Sequence, residues 1–340
     1  MTDFSALEFT RYVDVHRNTK GPGDARPTAM QIVKDNALEG KLSGKVVIIT
    51  GCSAGIGVET ARAMKATGAH VFVTARDLGK AQKVLADILE PGKLDLMLLK
   101  LDSLQSVRSF TAEFLQKSGG RLNILINNAG VMRTPEGRTS DGFETQFGTN
   151  HLSHFLLFQL LRPALIASAT PDFNSRVVNV SSTGHRGCEI HFDNPNLDGE
   201  YDGGVAYGQS KLANIYMANY IDRHYGSQGL HALSIHPGGI WEGSGLQQHI
   251  PQLVEAWKKM PGVAEHMKSQ KQGAATTVWA AVGNCWEGKG GRYLEDCQVS
   301  APCKEGYTIL DMGYETNAYN VGNEERLWKM SNELVGFQEE

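Results

Sequence analysis

Tyr207 and Lys211, in the run Tyr207-Gly-Gln-Ser-Lys211, stand four residues apart and share one face of any helix that carries them. Of the ten tyrosines only this one has a lysine at that spacing. About one such pair is expected by chance at average composition, so its weight comes from its setting. A phenol beside an ammonium can pass a proton to or from a reacting oxygen. The free phenol has a pKa of about 10, and lowering it by about three units would take about 4 kcal/mol. An ammonium one helical turn away is placed to supply part of that. Further upstream Val177-Val178-Asn179-Val180 runs into Ser181-Ser182, and a hydroxyl there can donate to charge developing on an oxygen. Asn150, in Phe147-Gly-Thr-Asn-His151, stands where it could N-cap the next helix.

A second cluster suits phosphate. Thr50-Gly51-Cys52-Ser53-Ala54-Gly55-Ile56-Gly57 directly follows the apolar run Val46–Ile49 and opens a helical pattern. Glycines at spacings of four and two allow a tight turn, close approach of backbone to a pyrophosphate, and close helix–strand packing. The helix N-terminus adds unpaired N–H groups and a positive dipole end. Within this turn Gly51-Cys-Ser53-Ala54-Gly55 superficially matches a serine-hydrolase elbow. Its place after the first strand, ahead of the other motifs, favours the dinucleotide reading, and His236 before Pro237 reads as a strand end rather than a triad base.

These groups need a frame. Continuous apolar runs read as buried parallel strands at 46–49, 71–73, 94–101, 122–126, 176–180 and 231–235. Between them, helical spacing is expected over 56–67, 78–88, 107–114, 151–167 and 206–225, with further helices at 29–38, 251–268 and 272–283. Repeated β-α-β-α implies an α/β fold, a doubly wound parallel sheet of the Rossmann kind covered by helices on both faces.

At 340 residues the chain is about ninety longer than an ordinary single domain. No repeat or low-complexity linker divides it, so one domain with enlarged loops is expected. Its parts are an N-terminal arm (1–43), a core (44–295) with a substrate lid at 241–270, and a tail (296–340). Hydrophobic residues at 41% exclude general disorder, and a net charge of −4 gives no basic surface for nucleic acid or anionic membrane. No apolar segment reaches the roughly 20 residues of a membrane span, and Met1 to Lys20 lacks a signal peptide's apolar stretch. Five dispersed cysteines argue against a disulfide framework, and Cys297 with Cys303 finds no supporting ligands, so no metal is expected. A cytoplasmic protein is the expectation.

With its order of motifs, Thr-Gly-x-x-x-Gly-Ile-Gly, Asn127-Asn128-Ala129-Gly130, Ser182, Tyr207-x-x-x-Lys211 and Pro237-Gly238, the chain resembles the short-chain dehydrogenase/reductase superfamily over residues 44–295. The long Ser182–Tyr207 segment, with His185, Phe192 and Tyr201, resembles its retinol-dehydrogenase-like branch. The arm resembles that of soluble fungal members, many of which act on aromatic or polyketide-type ketones. The resemblance implies hydride transfer between a nicotinamide and a carbonyl or alcohol carbon, with Tyr207 as general acid/base and the positive nicotinamide helping to lower its pKa. Lys211 would also bind the nicotinamide ribose, Ser182 the substrate oxygen, and Asn150 a water of a proton relay, with Ser181 structural.

The resemblance further implies a cofactor set of Gly51, Ser53, Gly55, Ile56, Gly57, Arg76, Asp102, Asn128, Ala129, Gly130, Tyr207, Lys211, Pro237, Gly238 and Ile240. Ala75 stands where NAD-specific relatives carry an acid, and Arg76 follows, which favours the 2′-phosphate of NADP(H). Asp77 would blunt this if it paired with Arg76. Asp102 would meet the adenine, unless the Asp-Ser pair serves only as a helix cap. Glu242 stands where the family has a nicotinamide-anchoring Thr, so Glu242 or Ser244 would have to substitute.

The lid residues Trp241, Leu246, Ile250, Leu253, Trp257, Met260 and Met267 would wall an apolar pocket or simply pack the lid. The expectation is therefore an NADPH-dependent carbonyl reductase or alcohol dehydrogenase for a small-molecule substrate that is bulky and hydrophobic. It would be a homodimer or homotetramer through helices 151–167 and 206–225, the family's usual faces. A non-catalytic NADP(H)-binding regulator and a sugar-nucleotide epimerase or dehydratase are the alternatives.

Overall fold

A computed structural model describes residues 2–243 and 245–339. Eight strands form one sheet: β1 (Val46–Ile49), β2 (His70–Ala75), β3 (Leu94–Leu98), β4 (Ile124–Asn127), β5 (Ser175–Val180), β6 (Leu230–His236), β7 (Arg292–Glu295) and β8 (Gln298–Val299). Their order is β3-β2-β1-β4-β5-β6-β7-β8, parallel from β3 to β7 with β8 antiparallel at the edge. The order reverses between β1 and β4, and a crevice opens beyond the carboxyl ends of such strands.

The main helices are α1 (Ala29–Asp35), α2 (Ile56–Ala66), α3 (Leu78–Val84), α4 (Leu104–Ser118), α5 (Ser153–Ser168), α6 (Gly203–Tyr225), α7 (Pro251–Lys258), α8 (Ala275–Val282) and α9 (Val321–Val335). Successive side chains of a strand face opposite sides, and β1 divides accordingly. Val47 and Ile49 enter the core layer with α1, α2 and α8, while Val46 and Ile48 enter the layer with α4, α5 and α6. Burial on both faces explains the unbroken apolar runs Val46–Ile49 in β1 and Ile124–Ile126 in β4.

Several boundaries differ from the sequence expectation. The helix expected over 251–268 is broken: α7 ends at Lys258, and a separate turn spans Val263–His266. Pro261 cannot continue a helical hydrogen-bond ladder, and Gly262 turns left-handed at φ 79°. The third strand stops at Leu98 instead of 101, and α3 at Val84 instead of 88, where Leu85 closes the turn onto the Ala81 carbonyl. The helix expected from 151 begins as a π-helical turn over Gly148–Leu152 before α5. Asp202 caps α6 three residues earlier than expected, accepting from the N–H groups of Gly204 and Val205.

The tail forms α9, which lies against α5 and α6. Trp328 stacks on Tyr220 with ring centroids 3.8 Å apart and meets Phe155 edge-on at 4.8 Å. The buried Glu324 carboxylate accepts from Asn219 and pairs with Arg223, and His151 bonds Ser331. The faces expected to carry homodimer or homotetramer contacts are thus covered by the chain's own C-terminal helix. Among the described residues no helix is long and apolar enough to cross a membrane, no cluster could hold a metal ion, and all five cysteines are free.

Candidate active site

A cleft of about 540 Å³ lies at the carboxyl ends of the parallel strands. Every residue of the expected catalytic and cofactor sets lines it except Asn150, which lies directly behind. At one end the turn after β1 is built from two close approaches. A Cβ on Gly51 would lie 2.8 Å from the Ala129 Cβ, and Gly51 has φ 75°. A Cβ on Gly57 would strike the Gly51 carbonyl and the Asn128 amide. Gly55 caps α2 without a side-chain bond, so the first-turn N–H groups are available to an anion. These features fit a dinucleotide pyrophosphate.

The floor is held by side chains that bond backbone. The Thr50 hydroxyl oxygen accepts from the N–H groups of Asn128 and Ala129, and Asn128 Nδ2 donates to the Thr50 carbonyl oxygen at 2.7 Å. Asn127 donates to Asn179 across β4 and β5, and Asn179 to the Asn214 carbonyl oxygen of α6.

Beside β2, Ala75 is buried and Arg76 exposed, and both line the cleft with Lys80. Asp77 does not pair with Arg76. It caps α3 by accepting from the Lys80 N–H, and no ion pair among the described residues engages Arg76. Asp102 lines the cleft without capping α4; Ser103 does that. Lys80 was missed from the sequence, although its spacing of four from Arg76 was visible.

At the other end α6 presents Tyr207 and Lys211. Lys211 Nζ lies 5.5 Å from the Tyr207 ring centroid and donates to the Val180 carbonyl oxygen at 3.1 Å. Ser181 donates to the Lys211 carbonyl oxygen, and the Ser182 hydroxyl accepts from the Gly184 N–H. Gly184 packs closely against both: a Cβ there would lie 2.9 Å from the Tyr207 ring and 3.4 Å from the Ser182 hydroxyl oxygen. Burial pushes the phenol up to about 12, opposed by Ser182 and Arg133. Burial brings the Lys211 ammonium down to about 8. The chain's own groups therefore do not yield the lowered phenol that proton transfer would use, because desolvation of Tyr207 outweighs its neighbours.

Asn150 is not a helix cap. Its Oδ1 accepts from the Val131 N–H at 2.8 Å, and its Nδ2 donates to the Val131 carbonyl oxygen and the Ser210 hydroxyl oxygen. Ser210 in turn donates to the Tyr207 carbonyl oxygen. His154, unforeseen from the sequence, joins the two ends of the site. Its Nδ1 donates to the Asn150 carbonyl oxygen, and its Nε2 bonds the Thr50 hydroxyl at 2.9 Å. Burial, then the Lys211 charge, lowers it to about 4 and keeps it neutral.

The expected lid divides. Leu246 and Trp257 line the cleft, with Gln247, Gln248 and His249 beside them. Trp241, Ile250, Leu253 and Met260 do not, and Met267 is buried beneath Gly239. Glu242 is exposed and outside the cleft lining, and Ser244 lies outside the described residues. In the long segment before Tyr207, His185 is buried against Tyr293, Phe192 packs under Arg326, and the Tyr201 hydroxyl donates to the Thr134 carbonyl oxygen.

The profile of the family described as short chain dehydrogenase matches residues 45–250. The chain is 48% identical over 330 residues to the short-chain dehydrogenase/reductase prx1 of Penicillium roqueforti, covering 97% of this chain and 96% of that one. It is 37% identical over 301 residues to mouse (Mus musculus) retinol dehydrogenase 12, covering 88% of each. A solved structure of an uncharacterized protein from Mycobacterium paratuberculosis superposes with a TM-score of 0.66 at 28% identity, over 92% of this chain and 97% of that one. The chain belongs to the short-chain dehydrogenase/reductase family, in its retinol-dehydrogenase-like branch, and is a hydride-transfer oxidoreductase.

Proposed function

We propose that the protein is an NADP(H)-dependent carbonyl reductase or alcohol dehydrogenase for bulky, apolar ketones, aldehydes or alcohols. The observation that carries this reading is the meeting of Tyr207, Lys211 and Ser182 at one end of a cleft whose other end is the glycine turn at Gly51–Gly57. A nicotinamide cofactor held between the glycine turn and Lys211 would supply or accept the hydride. Tyr207 donates the proton to the carbonyl oxygen in reduction and takes it back in oxidation. Ser182 hydrogen-bonds that oxygen and steadies its developing charge.

Lys211 holds positive charge beside the phenol and would bond the ribose hydroxyls, and an oxidised nicotinamide, when bound, would add to its field. Asn150 steadies the loop after Gly130 and holds a water in the relay that returns protons to Lys211. Arg76 and Lys80 beside the uncharged Ala75 support the 2′-phosphate. Met132, Leu246 and Trp257 support an apolar substrate. The test is turnover of NADPH and of NADH against a panel of hydrophobic and hydrophilic carbonyl compounds. Faster turnover with NADPH and hydrophobic ketones is expected; activity confined to NADH or to hydrophilic substrates overturns the reading.

A further inference from the structure

Behind the cleft, the N-terminal arm and the segment after α7 meet in a cluster of buried charges. Lys268 is almost wholly buried and its ammonium donates to the Asp296 carboxylate at 2.5 Å. Its backbone N–H donates to the Gly239 carbonyl oxygen at 2.8 Å. Its side chain passes directly under the turn: a Cβ on Gly238, which has φ 91°, would lie 2.9 Å from the Lys268 Cδ and Cε. Met267 fills the space beneath Gly239. Asp296 and Cys297 both have left-handed backbones, φ 50° and 54°, a conformation that non-glycine residues hold only where their surroundings impose it.

Arg26 holds the other side of the same segment. Its buried guanidinium donates to the carbonyl oxygens of His266 at 2.7 Å, Met267 at 2.6 Å and Gly21 at 3.1 Å, and pairs with Asp24. Gln272 ties in the arm, accepting from the Gly23 N–H and donating to Asp24. Buried charges are expensive unless paired, and a single unpaired one is strongly destabilising. Two buried ion pairs therefore constrain one stretch, 265–268, which lies against the cleft-lining turn Pro237–Ile240.

We propose that Lys268, Asp296 and Arg26 are positioning residues that hold the turn Pro237–Ile240 against the nicotinamide half of the cofactor. They do this from behind the turn, through Lys268 beneath Gly238 and through the carbonyl oxygens of His266 and Met267. This rests on the NADP(H) reading above. Without the clamp the turn keeps its sequence but loses its fixed height over the cleft floor. The penalty falls on the nicotinamide end alone, because the 2′-phosphate end is built from β2 and α3.

The test compares the native protein with the double variant Lys268→Met/Asp296→Asn. It removes both charges at similar volume and places Asn, which tolerates the left-handed conformation, at 296. Calorimetric affinities for NADPH and for adenosine 2′,5′-bisphosphate are measured on each. The expected result is NADPH binding weakened about tenfold with adenosine 2′,5′-bisphosphate binding unchanged. Equal weakening of both ligands, or of neither, overturns the proposal. Should the double variant fail to fold, Arg26→Lys, which keeps the charge but not the three-carbonyl fork, decides by the same split in the same direction. A native protein that binds neither ligand would instead refute the cofactor reading.

Discussion

Lys211 Nζ stands 5.5 Å from the centre of the Tyr207 ring, tethered to the Val180 carbonyl oxygen rather than to any carboxylate. The ammonium lies beside the ring, and burial brings its pKa to about 8. Below that pH the ammonium supports Tyr207; above it the support is lost. The expected pH profile of kcat/KM for carbonyl reduction falls as pH rises through about 8. Lys211→Arg, which stays charged, should move that limb to higher pH, and a profile flat from pH 7 to 10 would contradict the assignment.

Arg76 and Lys80 face the cleft next to a small neutral residue, while Asp77 is occupied as a helix cap. Arg76→Ala should reduce the preference for NADPH over NADH about tenfold, and Arg76→Ala/Lys80→Ala further. Steady-state KM values for both dinucleotides check this. An unchanged ratio in the double variant would remove the 2′-phosphate assignment.

His154 couples Thr50 beneath the glycine turn to Asn150 beside α6, donating at one nitrogen and accepting at the other. His154→Leu should cost about 1–3 kcal/mol, since two buried groups lose a partner. It should also weaken cofactor binding, whereas His154→Gln keeps a donor and an acceptor. Its pKa of about 4 lies below the usual 6.5. The stability it confers is complete above about pH 6.5 and is lost as pH falls toward about 4, where the unfolded chain binds the proton and the folded chain does not. His154→Gln should therefore unfold less steeply with acid than the native protein, as denaturant melts at pH 4.5 and 7 would record.

Helix α9 fills the groove between α5 and α6 with Trp328 and Leu327, both nearly inaccessible to solvent. The chain should sediment as a monomer, and Trp328→Ala should cost about 3–5 kcal/mol of stability. A native dimer that persists at low concentration with α5 and α6 protected in hydrogen exchange by the partner would contradict this.

The sheet, the glycine turn and the Tyr207–Lys211 pair were legible because each is local. A strand buried on both faces is a continuous apolar run, and two side chains on one helix face show as a spacing. The N-cap of α4 at Ser103 and the capping role of Asp77 were harder, because neighbouring acids and hydroxyls compete for one N–H. Lys268, Asp296, Arg26 and His154 carried no motif. Their partners lie from about one helix turn to more than two hundred residues away, and only the fold brings them together. The break at Pro261-Gly262 was visible as residues, but the apolar spacing of 251–268 obscured it.

The most direct measurement is the rate of NADPH oxidation with a hydrophobic ketone by the native protein and by Tyr207→Phe, alongside NADPH affinity for each. The expected result is a rate lowered about 10²–10⁴-fold in the variant, with NADPH still bound. A Tyr207→Phe protein that binds NADPH and turns over at the native rate would contradict Tyr207 as the proton donor.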